Sequence, residues 1–204
     1  MIVRAFWAVG MVVWFFLALH RLSRNSKWNA NAAATALFAT MTGAFLVSRY
    51  GFHTYDSTLA LAGAVVTAFL YLALTRRLGQ WFELLAAATW AFPFAWIPVR
   101  LGCVVEQAHG GVASDSWMAL TFPDGVTRWD LALLEFLWAV FVAAALAVRP
   151  KLPAAIFVPA TLALFRLAIN PLRTGPPVYL SSAILGLWAF FVWLQRRRFD
   201  RMNA

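Results

Sequence analysis

Seven apolar runs, at about 5–19, 30–48, 57–75, 81–99, 131–148, 153–170 and 178–195, divide the chain into long hydrophobic segments and short polar gaps. A helix that crosses a bilayer takes about 20 apolar residues. Inside a bilayer each backbone group must bond within its own segment, so each run predicts a helix. The runs argue against a transmembrane barrel, whose strands alternate apolar and polar positions whereas these runs are continuous. Pro93 and Pro98 fall in the fourth run and Pro159 in the sixth; membrane helices tolerate proline where neighbours satisfy the freed carbonyls, and a kink is its usual meaning there. The pattern predicts an all-α integral membrane protein of seven transmembrane helices forming one polytopic domain over residues 1–204.

The gaps give the orientation. Arg21, Arg24 and Lys27 follow the first run, Arg76 and Arg77 the third, Arg149 and Lys151 the fifth, and Arg196, Arg197, Arg198 and Arg201 the seventh. Eleven of the 17 basic residues therefore lie in alternate gaps. Basic residues near span ends stay in the cytoplasm, which places the N-terminus outside and the C-terminus inside. An odd number of spans is what this requires. The first run has Arg4 before it, three basic residues after it and no small-residue cleavage site, so it reads as a retained helix rather than a signal peptide.

Composition agrees with this reading. Of the 204 residues 63% are hydrophobic and 12% charged, where a soluble domain has roughly 25% charged. The 11 Trp and 18 Phe suit two interfacial aromatic belts. The formal charge of +9 could signal nucleic acid, but the basic residues sit in short loops between apolar runs, so topology explains it and no nucleic-acid partner is expected. One cysteine rules out a disulfide framework, and three histidines leave too few ligands for a zinc site. No metal or cofactor is expected. No Walker loop or nucleophile elbow is present. The spans carry no charged stripe and no repeat, which argues against a channel or transporter.

The chemistry lies in the outward gaps. Arg49, Tyr50, His53, Tyr55 and Asp56 follow the second run. The longest gap, about 100–130, opens with Arg100-Leu101-Gly102-Cys103 and passes through Glu106, Gln107, His109, Gly110 and Gly111. It closes with Phe122-Pro123-Asp124-Gly125 and Arg128-Trp129-Asp130, and Glu135 stands one turn into the next run. The sixth run ends in Arg166 and continues through Asn170 to Arg173. Ionisable groups inside apolar runs are costly and face a partner or a polar cavity, so Arg166 and Glu135 line a site, form a structural ion pair or snorkel to the interface. Arg100 either anchors a helix end to lipid phosphate or joins Arg166 and Arg173 in clasping an anionic headgroup by bidentate hydrogen bonds. His109 is a loop-held imidazole or a base for a thiol or hydroxyl near neutral pH. Cys103 is a small packing residue or a nucleophile.

Arg100-Leu101-Gly102-Cys103, the later Gly111, Thr121-Phe122-Pro123, and Arg128 followed by Glu135 resemble the signature region of prolipoprotein diacylglyceryl transferases. Arg166 to Arg173 is similar to that family's later arginine motif, and His53-Thr54-Tyr55 to its tyrosine-bearing aromatic segment. The resemblance spans about residues 50–175. It implies a seven-span enzyme of the bacterial cytoplasmic (inner) membrane, multi-pass, with its active site facing outward. Phosphatidylglycerol is then the donor, and the lipobox cysteine in the signal-peptide region of a preprolipoprotein the acceptor. The thiolate attacks the glycerol carbon bearing the phosphoester, a thioether forms, and glycerol-1-phosphate leaves. By this resemblance Arg100 and Arg166 clamp the phosphate, with His109 as candidate base. Tyr55, Cys103, Gly111, Arg128, Glu135, Asn170 and Arg173 contact or orient the substrates.

The chain departs from the family pattern in three places. The His-Gly-Gly segment that precedes the arginine signature is missing, since His109-Gly110-Gly111 follows Arg100 instead. Asn170 stands where the family has Glu, and Trp129-Asp130 replaces a His-Pro pair. These changes support a second expectation: a non-catalytic lipid-binding or assembly subunit that retains the transferase fold.

Overall fold

The computed structural model describes residues 2–24, 28–46, 57–174, 182–190 and 192–193. Helix occupies each of the seven apolar runs among them: α1 (Ile2–Ser23), α2 (Ala30–Leu46), α3 (Ser57–Leu74), α4 (Trp81–Val105), α5 (Leu131–Val148), α6 (Ala154–Ile169), and helical residues at 182–190 and 192–193. Pro93, Pro98 and Pro159 lie inside α4 and α6, which continue through them. Four helical stretches among the described residues are long and apolar enough to cross a membrane: Arg4–Ser23, Leu78–Val105, Leu131–Val148 and Ala154–Leu172. The protein is therefore a helical membrane protein.

Internal contacts group the residues into two compact units, residues 14–91 and residues 1–13 with 92–204. The first has a core of small and branched residues: Ala18 and Leu22 from α1, Ala33, Ala36 and Leu37 from α2, Ala68 and Leu72 from α3, and Leu84, Ala87 and Ala91 from α4. Apolar burial does not drive helix association in lipid, so close packing must do so, and alanine lets backbones approach. Trp14 donates its indole N–H to the Ala88 carbonyl at 2.9 Å, and the Arg21 guanidinium lies 4.8 Å from the Trp90 ring centre.

The second unit adds a small sheet to the helices. A three-stranded antiparallel sheet fills the long gap: β1 (Gly110–Ala113), β2 (Ala119–Thr121) and β3 (Thr127–Asp130), in the order β1-β3-β2. The β2–β3 turn follows from Pro123-Asp124-Gly125. The Asp124 carboxylate accepts from the Val126 N–H at 3.1 Å, and Gly125 takes φ +79°, which glycine adopts without steric cost. α4 ends at Val105, and Gln107, two residues beyond, turns the chain away with a φ of 50° in the left-handed region. The Gln107 side chain then donates to the Thr121 carbonyl at 3.0 Å, tying the helix end to β2. α5 starts at Asp130, which accepts from the Ala132 and Leu133 N–H groups at 2.8 and 3.1 Å. That N-cap holds the end of β3 against the start of the helix.

Candidate functional site

The buried face of α5 runs through Leu131, Ala132, Glu135, Trp138, Ala139 and Val142, with helical spacing. Glu135 is thus carried inward by the same periodicity that buries its apolar neighbours, and is 5% exposed. A carboxylate so placed needs donors, and α4 supplies two. Arg100 Nη2 lies 2.5 Å from Glu135 Oε2, and Trp96 Nε1 donates to the same oxygen at 3.2 Å. The Arg100 guanidinium also stacks 4.5 Å from the Trp96 ring centre, and its Nη1 approaches Cys103 Sγ at 3.9 Å. Glu135 is thus observed in an ion pair with Arg100. Cys103 is buried one turn beyond Arg100.

Arg166 takes its place by the same logic on α6. It belongs to the buried face with Val158, Leu162, Ala163 and Ile169 and is 7% exposed. The ring before it, Phe165, stacks on Trp138 of α5 at 6.1 Å. The chain then tightens into a 3-10 turn at Asn170–Leu172, whose last hydrogen bond runs from the Arg173 N–H to the Asn170 carbonyl. Asn170 and Arg173 are both half-buried, and Arg173 Nε has no hydrogen-bond partner among the described residues.

Gly111 fastens the sheet to this turn. A Cβ there would collide with the Leu172 carbonyl oxygen and approach the Trp129 carbonyl to 3.2 Å. Its lack of a side chain is what lets β1 lie against the segment leading to Arg173, so its observed part is in packing. Gly111→Ala is expected to push the 3-10 turn away from β1 and to lower the unfolding temperature by several degrees, since overpacking costs about 1–3 kcal/mol. A thermal melt of the purified variant checks this, and an unchanged midpoint would show that the backbone yields freely.

His109 precedes β1, and its carbonyl accepts from the Leu131 N–H at 3.0 Å, fixing the loop to the start of α5. Its side chain is exposed. Desolvation on the protein side and then the positive charge of Arg100 hold the imidazole below its usual value, helped by Arg173 and opposed by Glu135. This shift favours the neutral imidazole, the form a base needs. Burial pushes the Asp130 carboxyl up, while its two backbone hydrogen bonds and the Arg100 charge pull it back. Arg100, Glu135, His109, Asp130 and Arg173 thus share one electrostatic neighbourhood at the end of α4.

Arg128 has partners within the sheet. It pairs with Asp124 at 2.5 Å and lies 5.3 Å from the Phe122 ring centre, bracing the β2–β3 turn. Tyr55, with His53 and Asp56, lies outside the described residues. Sequence reasoning missed Trp96, treating every tryptophan as belt material. The available signal was its place four residues before Arg100, one helical turn away on the same face. Compared with known proteins, the chain matches no family model and no curated relative.

Proposed function

We propose that this protein transfers a diacylglyceryl group from phosphatidylglycerol to the lipobox cysteine of a preprolipoprotein, at the outer face of a bacterial cytoplasmic membrane. The observation that carries the reading is the Arg100 guanidinium, half-buried at the end of an apolar helix and held by Glu135 and Trp96. A guanidinium fixed in this way is preorganised for a phosphate, and such preorganisation is the largest source of catalysis where a phosphate leaves. The seven-span arrangement with the N-terminus outside belongs to the same reading. It is supported by the alternating basic gaps and by helix among the described residues of each run.

In this mechanism Arg100 binds the donor's phosphodiester, with Arg166 and Arg173 as further cations. His109 takes the proton from the acceptor thiol. The thiolate sulfur attacks the glycerol carbon bearing the phosphoester as that carbon–oxygen bond breaks. Its electron pair goes to the phosphate oxygen, and glycerol-1-phosphate departs. The cations stabilise the charge that develops on this leaving group.

A transfer assay with labelled phosphatidylglycerol and a lipobox peptide tests the proposal, beside a Cys-to-Ser peptide. Thioether and glycerol-1-phosphate are expected only with the cysteine. Because His109 is held low, the acidic limb of kcat/KM is expected below about pH 6.5 and is expected to vanish in His109→Gln. A limb unchanged in that variant would remove His109 from the base role. Asn170, in the place of the family's glutamate, favours a second reading, a lipid-binding or assembly subunit without catalysis. Headgroup binding with neither product would select it.

A further inference from the structure

The ring beneath the Arg100 guanidinium has a part that interfacial belting does not explain. Trp96 stands one turn before Arg100 on α4 and is 6% exposed. The buried indole N–H groups of Trp28 and Trp138 make no hydrogen bond among the described residues. That of Trp96 is committed to Glu135 Oε2, the oxygen that also takes Arg100 Nη2. The same ring supports the guanidinium face at 4.5 Å. Trp96 is itself fixed, stacked on Phe92 at 5.1 Å and met edge-on by Trp7 at 5.9 Å.

These contacts divide the guanidinium into two parts. Its face and its Nη2 side are held by protein groups. Among the described residues, the hydrogen-bonding contact of Nη1 is the 3.9 Å approach to Cys103 Sγ, a weak interaction that an anionic oxygen readily displaces. We propose that Trp96 is the positioning residue of the anionic-headgroup site, orienting Arg100 through its ring and Glu135 through its N–H so that Nη1 meets a lipid phosphodiester. This rests on the reading of Arg100 as a phosphate ligand. Leucine at position 96 would fill the space but orient neither partner. Phenylalanine would keep the ring under Arg100 and lose the donor to Glu135.

The test is lipid titration of the full chain in detergent by native mass spectrometry, comparing phosphatidylglycerol with phosphatidylcholine. Trp96→Leu is expected to weaken phosphatidylglycerol about tenfold and leave phosphatidylcholine unchanged, the size of a cation–π contact and a hydrogen bond, each at the lower end of its range, lost together. Trp96→Phe is expected to recover part of this, standing about threefold below the original protein. Wild-type selectivity in Trp96→Leu overturns the proposal. So does an equal loss for both lipids, or a Trp96→Phe protein as impaired as Trp96→Leu, because each marks a packing role. If Trp96→Leu does not fold, Trp96→Phe decides alone, and an unchanged lipid ratio in it overturns the proposal. A different result separates the underlying reading: if the unaltered protein shows no preference for phosphatidylglycerol, or Arg100→Ala keeps one, Arg100 is not a phosphate ligand and the proposal fails with it.

Discussion

Arg100→Ala is expected to lower diacylglyceryl transfer by at least about a hundredfold and to abolish the preference for an anionic headgroup. Removing one preorganised donor from a developing oxyanion costs about 10²–10³ in rate, and here the lost group is a full cation next to a buried carboxylate. Arg100→Lys tests geometry apart from charge. Lysine keeps the positive charge but loses the planar fork and its stacking on Trp96, so it is expected to retain binding better than turnover. Rates from the labelled-lipid assay and affinities from lipid titration give the comparison. Full activity in Arg100→Lys would reduce the site to a point charge.

The second large effect is on stability. Glu135→Ala leaves the Arg100 guanidinium without its carboxylate and the Trp96 N–H without its acceptor, in a pair whose side chains are 12% and 6% exposed. Taking one partner from a buried ion pair costs about 3–5 kcal/mol. For a chain of this size that is a fall of about 10 °C in the unfolding midpoint. A carboxyl left alone can take up a proton, whereas a guanidinium cannot give one up. Glu135→Ala is therefore expected to destabilise more than Arg100→Ala. Thermal melts of both in the same detergent decide it. Equal midpoints for Glu135→Ala and the unaltered protein would give the pair the small worth of a surface salt bridge.

Much of the fold was legible because a bilayer imposes a simple code. Long uninterrupted apolar runs must be helices, and helix is found among the described residues of each run. The prolines of α4 and α6 misled nothing, since membrane helices absorb them. The sheet was not foreseen, although Phe122-Pro123-Asp124-Gly125 is a turn signal between residues able to pair. Its strands are three or four residues long, too short for periodicity to show. The site was legible in its charges and not in its pairings. Glu135 and Arg166 stood out as ionisable groups in apolar runs, and both are buried. That Glu135 meets Arg100 could not be read, because 35 residues and a folded sheet separate the two along the chain.

The sequence alone determined the class of the protein and its helical runs, and marked Glu135 and Arg166 as ionisable groups within apolar runs, because hydrophobic length and charge are local properties of the chain. The tertiary structure decided which groups touch. It set Arg100 between Glu135 and Trp96, turned Arg128 into a brace for a β-turn, and made Gly111 the place where the sheet closes on the Leu172 carbonyl. Those choices depend on how distant segments pack, and contacts between distant segments leave no pattern in a single sequence.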